Sequence, residues 1–217
     1  MSRVIRLQKS NVIRNMKKLA LAAIAALTAS APVFANEAAP EDIIFEVLRN
    51  GSRFGEHSVR FEQDGDALRA RTEIDLRVNI GPFTVFRYEH EADEVWRDGE
   101  LLAISAETLK DGERSRFDYD RSEPDLQPIL AAFLPSTHWR SYDTATQTIL
   151  NTETGEPLDV SVVELGWETI ETADGPVEAR RLRMVSDLTV DLWYDAEGNW
   201  VGCEFEARGQ TIRYLRV

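Results

Sequence analysis

Apolar and polar residues alternate along most of the chain after residue 40, and the longest such run sets the pattern. Leu68, Ala70, Thr72, Ile74, Leu76, Val78 and Ile80 take one face; Arg69, Arg71, Glu73, Asp75, Arg77 and Asn79 take the other. This period-two alternation predicts a half-buried antiparallel strand over Leu68–Ile80. The stretch Phe83–Lys110 predicts a long hairpin turning at Asp98-Gly99, because both central residues of a type I′ turn need positive φ. Further turn signals fall at Asn50-Gly51, Asp64-Gly65, Asp111-Gly112, Asp174-Gly175, Gly198 and Gly209. About eleven short strands follow, with no internal repeat. The expected fold class is all-β, an antiparallel meander forming an open or closed barrel. One stretch breaks the pattern. Pro124–Pro135 has apolar residues at helical spacing between prolines and predicts a short helical insert that closes one end of the core.

Register decides which side chains meet. Centring a two-residue turn on Asp98-Gly99 pairs Trp96 with Leu101, Glu94 with Ala103, Ala92 with Ser105 and His90 with Glu107. Phe86, Tyr88, His90, Ala92, Glu94 and Trp96 then share an inward face. A turn at Asp111-Gly112 sets Glu107 opposite Arg116, so three strands carry His90, Glu107 and Arg116 side by side. The same centring puts Phe117 and Tyr119 on the opposite face, and the two hairpins disagree about which side is core. The row reads either as a polar site among aromatic side chains or as a surface salt-bridge row. Turning through Asp64-Gly65 sets His57 opposite Thr72, pointing inward as a core histidine satisfied by a neighbour.

The first 35 residues read as a signal peptide. Arg14, Lys17 and Lys18 form a basic region, Leu19–Leu27 an apolar one, and Val33-Phe34-Ala35 ends in a peptidase-like site. The long basic region leaves Met1 and Met16 both open as starts. The apolar run is too short for a membrane span, and no cysteine near the site offers a lipid anchor. A periplasmic or secreted single β domain over 36–217 is the expectation.

Charge and cysteine content narrow the classes. The whole chain carries 25 Lys/Arg and 38 Asp/Glu. Residues 1–35 take six of the cations and no acid, leaving 19 against 38, a net charge of −19 for residues 36–217. That balance argues against nucleic acid and anionic lipid as partners. Cys203 is the single cysteine, so an internal disulfide is excluded; it alternates with Val201 and Phe205 and reads as a buried small hydrophobe.

Catalytic signatures are missing. In Gly51-Ser-Arg-Phe-Gly55 the serine stands one place too early for a nucleophile elbow, and His90-Glu-Ala-Asp-Glu94 lacks the second histidine of a zincin. Asp118, Asp120 and Ser122 open like a calcium loop, but Glu123 and Ile129 occupy the places of its Gly and Glu. No cofactor and no metal site are expected: three histidines and one cysteine are too few for a dedicated transition-metal site, and only a carboxylate-rich calcium site stays open. His138-Trp139-Arg140 brings an imidazole, an indole and a guanidinium together in a loop. The candidate ligand-binding residues are Tyr88, His90, Trp96, Glu107, Arg116, His138 and Trp139.

Three pieces, FTVFRYEHEADEVWRDGEL (Phe83–Leu101), ILNTETGE (Ile149–Glu156) and VDLWYDAEGNWVG (Val190–Gly202), carry a resemblance to the bacterial domain-of-unknown-function family 6134, a group of secreted proteobacterial proteins. The resemblance implies an exported, mainly antiparallel β protein and assigns no activity, substrate or catalytic residue. The first functional expectation is a non-catalytic binding protein holding an apolar or amphiphilic small molecule inside the sheet. The second is a structural or interaction module of the envelope, and the third a His-dependent hydrolase using His138 or His90.

Overall fold

The structure is a computed structural model and describes residues 39–122 and 133–217. The expected signal peptide and all but the last three residues of the expected helical insert lie outside the described residues. Thirteen strands are present among them: β1 (Ile43–Arg49), β2 (Ser52–Asp64), β3 (Ala67–Ile80), β4 (Phe83–Arg97), β5 (Glu100–Lys110), β6 (Glu113–Asp120), β7 (Thr148–Leu150), β8 (Pro157–Asp159), β9 (Ser161–Thr172), β10 (Gly175–Val185), β11 (Thr189–Tyr194), β12 (Trp200–Ala207) and β13 (Gln210–Arg216). Eleven form one antiparallel sheet in the order β6-β5-β4-β3-β2-β1-β13-β12-β11-β10-β9, and β7 and β8 make a separate two-stranded ladder. The sheet is two meanders joined where β1 meets β13, with Val47 opposite Tyr214. It curls around one interior without closing, and β6 and β9 are its edges.

The turns follow the chemistry of their central residues. Both φ values are positive at Asn50-Gly51, Asp98-Gly99, Asp111-Gly112 and Arg208-Gly209, the condition a type I′ turn sets. The β2–β3 turn differs from expectation. Asp64 pairs with Ala67, so Gly65-Asp66 are its central residues and the register moves by two. An even shift preserves the faces: His57 lies opposite Ile74 rather than Thr72, and still points inward.

Two bulges correct the expected faces. On β5, Trp96 pairs with Leu101 as expected, but Val95 already pairs with Ala103, leaving Leu102 as the extra residue. From there the ladder runs one residue out of the expected phase. His90 faces Thr108, Ala92 faces Ala106, and Glu94 faces Ile104. Glu107 does oppose Arg116, but on the outer surface. The row His90–Glu107–Arg116 therefore does not exist, and Tyr119 joins the core on the same face as Ile104. The bulge removes the conflict between the two hairpins. On β12, Tyr194 pairs with Trp200 and Trp193 with Gly202, so Val201 is extra. Val201 packs with Ala179 and Trp193 in a small separate cluster, while Cys203 shares the main core with Trp200.

That main core draws on both meanders. Phe45, Val47 and Val59 from one, and Leu182, Leu192, Tyr194 and Trp200 from the other, are all fully buried. Each such side chain contributes roughly 1.5–3 kcal/mol through burial. The outer face is a lattice of exposed ion pairs, among them Arg71 with Glu73 and Glu91, and Arg77 with Asp75 and Glu89. Pairs of this kind add about 0–1 kcal/mol each.

Candidate functional site

The chain leaves the sheet at β6 and re-enters at β9, and residues 133–160 cross the interior between these edges. This connector is fastened to both meanders. On one side Thr137, Trp139 and Arg140 reach β4 and the β4–β5 turn, and Ser115 Oγ donates to the Glu153 carbonyl at 2.8 Å. On the other, Tyr194 Oη donates to the His138 carbonyl at 2.9 Å, and Arg180 Nη2 donates to Ser141 Oγ at 2.9 Å. Gly155 seats the connector on β6: a Cβ there would lie 2.7 Å from the Phe117 ring, and its φ is +76°.

Glu94 is the polar anchor at one end of the interior. It is 1 % exposed, and its carboxylate accepts from Trp96 Nε1 at 2.7 Å, Trp139 Nε1 at 3.1 Å and Thr137 Oγ1 at 2.6 Å. The Arg140 guanidinium lies 4.3 Å from the centre of the Trp96 ring. Burial pushes the Glu94 pKa above the ordinary carboxyl value, while the three donors and the Arg140 charge oppose the rise. Trp96 and Trp139 thus belong to a structural clamp that plugs this end.

Between the clamp and the turns at the opposite end lies a cavity of about 930 Å³. Its apolar wall includes Leu76, Val78, Phe86, Met184, Val190 and Phe205, drawn from both meanders. All three histidines of the chain line it. His90, 3 % exposed, shares hydrogen bonds with Thr108 Oγ1 at 2.8 Å and Thr152 Oγ1 at 3.3 Å, and burial lowers its pKa to about 4 against the opposing charge of Glu153. His138 contacts Tyr142 Oη through Nδ1 at 2.9 Å, and burial lowers it to about 4 as well. His57 sits edge-on to Trp200 and Tyr214, with ring centres 5.1 and 5.4 Å away. Burial first, and the other two histidines second, hold its pKa well below the ordinary value. At neutral pH the three imidazoles are uncharged.

The expected site residues separate into three groups. Tyr88, His90 and His138 line the cavity, with Tyr88 Oη donating to Glu153 Oε1 at 2.9 Å. Trp96 and Trp139 form the clamp. Glu107 and Arg116 face outward, where Glu107 pairs with Arg114 and Arg116 with Asp118 at 3.1 Å. Glu94, Thr72 and the connector threonines were not among the expected site residues. Glu94 had a signal, an acid on an otherwise apolar strand face; the connector residues had none, because a long loop carries no register. Among the described residues neither His90 nor His138 hydrogen-bonds a carboxylate, and no cluster of three His, Cys, Asp or Glu side chains is placed to hold a metal ion.

Comparison with solved structures finds the fold again in a beta-barrel-like protein of domain of unknown function DUF1849 from Brucella abortus. It is 12 % identical, matches 82 % of this chain and 96 % of its own, and superposes with a TM-score of 0.55. At that identity the likeness is one of fold. Comparison with curated proteins finds no match. The model of a family described as a domain of unknown function, DUF6134, matches residues 45–217. Those residues include all eleven strands of the sheet except the first two positions of β1, and the chain belongs to the DUF6134 family.

Proposed function

We propose that this protein is a non-catalytic binding protein for an apolar or amphiphilic small molecule, held inside the open sheet. The observation that carries this reading is the cavity itself: about 930 Å³, walled by apolar side chains of both meanders, with uncharged polar side chains such as His138 and Thr137 at its clamp end and charged ones, Arg49, Lys110 and Arg208, at the turns. That volume falls within the usual range of small-molecule sites, which are mostly apolar with a few placed polar groups. We further propose export to the cell envelope through the signal peptide at residues 1–35. The test of binding is titration of the full chain with N-phenyl-1-naphthylamine, an uncharged apolar fluorophore. Saturable, one-to-one enhancement is expected, and its loss in the cavity-filling variant Leu76→Trp. Absence of saturable binding to the folded wild type overturns the reading.

A second reading has its own observation. Edge strand β9 exposes Val163, Leu165 and Trp167, each about half accessible, beside a row of backbone groups with no ladder partner among the described residues. Such an edge suits strand addition by a protein partner. The cavity weighs more, because an interaction module has no use for an unfilled interior.

A further inference from the structure

Tyr142 fixes which nitrogen of His138 carries the proton. Its hydroxyl has one hydrogen, which it donates to the Pro135 carbonyl at 2.9 Å, an atom that can only accept. The 2.9 Å contact between Tyr142 Oη and His138 Nδ1 is then satisfied by Nδ1–H donating to the phenol oxygen. In the neutral imidazole this leaves Nε2 with a lone pair and no proton. No hydrogen bond reaches Nε2 from any described residue, although His138 lines the cavity. The residue is held in a left-handed conformation, φ +62°, with its carbonyl fixed by Tyr194. A non-glycine residue kept at positive φ is a position that the surrounding structure determines closely.

Two further polar side chains of the cavity wall are unsatisfied. Among the described residues His57 leaves both ring nitrogens, and Thr72 its hydroxyl, without a partner; these side chains are 3 % and 0 % exposed, and both line the same cavity. Those three atoms are closed off from the cavity, so Nε2 of His138 is the acceptor this end leaves for a polar ligand group. The charge at this place is defined too. The cations lining the cavity are Arg49, Lys110 and Arg208, each beside a turn at the far end, β1–β2, β5–β6 or β12–β13. A carboxylate or phosphate next to His138 would meet a lone pair and no counter-ion.

We propose that the inner end of the cavity takes an uncharged head group that donates a hydrogen bond to His138 Nε2, a hydroxyl or amide N–H, with its alkyl chain lying toward Val78 and Phe86. The inference rests on the binding function proposed above and adds the chemical class of the ligand and its orientation.

The test displaces N-phenyl-1-naphthylamine from the full chain at neutral pH with decanol, methyl decyl ether and sodium decanoate, each below its aggregation limit. Decanol is expected to compete about five-fold better than the ether, which has the same chain and no donor, after correction for their partition into octanol. Decanoate is expected to compete worst. In His138→Phe the ratio of decanol to ether competition should fall to about one, read against that variant's own fluorophore affinity and with its unfolding midpoint measured to confirm a folded variant. The wild-type comparison needs no variant and stands alone. Equal competition by alcohol and ether, or stronger competition by decanoate, overturns the head-group assignment. Failure of the fluorophore to bind overturns the binding function itself, and this inference with it.

Discussion

The Glu94 carboxylate on β4 and the Trp139 indole in the connector are joined by a 3.1 Å hydrogen bond across 45 residues of sequence. Trp96 shares the same oxygen and Thr137 takes the other, so one buried acid holds the connector to the sheet. Glu94→Ala would strand two indole N–H groups and a hydroxyl. At about 1–3 kcal/mol for each buried group left unsatisfied, the loss should reach at least ~3 kcal/mol in urea unfolding. Glu94→Gln keeps an acceptor for the indoles and should cost less than half of that. An alanine variant within about 1 kcal/mol of wild type would show that water replaces the carboxylate.

Acid should weaken the fold well above the ordinary carboxylate range. His90 and His138 have pKa values of about 4 in the folded chain, against about 6.5 when unfolded. Between these values the unfolded chain binds more protons, so stability rises with pH. The contribution is complete above about pH 6.5 and is lost as pH falls toward 4, by up to ~1.4 kcal/mol per pH unit for each histidine. His57, shifted in the same direction, adds to the slope. Urea midpoints measured from pH 7 to pH 5 should fall accordingly, and His90→Gln should reduce the slope by about one proton. A flat profile over this window would mean that these imidazoles are hydrated.

Glu107 and Arg116 should matter little. Their side chains are 38 % and 63 % exposed, and each has a different ionic partner on its own strand or the next. Alanine at either position should change stability by no more than about 1 kcal/mol, and the double variant should be additive within about 0.5 kcal/mol. A large coupling would place the pair inside the sheet, against the bulge at Leu102.

Cys203 should be inert while the chain is folded. It is 3 % exposed within the main core, and burial pushes its thiol pKa far above the ordinary value. A thiol reagent should label it at the rate of unfolding, accelerating with urea. Rapid labelling of native protein would show that the cavity admits the reagent to the β12 face.

The architecture was legible because it rests on two local signals, period-two alternation and Gly-containing turns. The inward face of β4 follows from them directly: Tyr88, His90, Glu94 and Trp96 all lie where the alternation puts them. What the alternation cannot register is a single inserted residue. Leu102 and Val201 look like any other apolar strand residue, yet each sends the rest of its strand to the other face. The slip at Gly65-Asp66 did no harm because it is even. Of the site, the β4 members were visible and their partners were not. Thr152 and Thr137 reach His90 and Glu94 from a connector whose path depends on packing alone. His57 was placed correctly as inward, but its expected satisfaction by a neighbour fails, because neither ring nitrogen has a partner among the described residues.

The meeting of β1 and β13 near the middle of the sheet has a consequence for how the chain assembles. Val217 N donates to the Ile44 carbonyl at 2.9 Å, and the ladder continues to Arg49 opposite Ile212. Every other pairing in the large sheet joins strands consecutive in sequence, so its topology is a circular permutation of an uninterrupted meander that would run β9 to β13 and then β1 to β6. Each arm can zip from its own hairpins at low contact order. Only the β1–β13 seam requires closure of a loop spanning nearly the whole domain, and that closure is expected to be the slow step of folding. Linking β13 to β1 and opening the chain within the connector would turn the seam into one more hairpin. Such a permutant should fold faster than the natural order of strands, at the expense of the connector that walls the cavity.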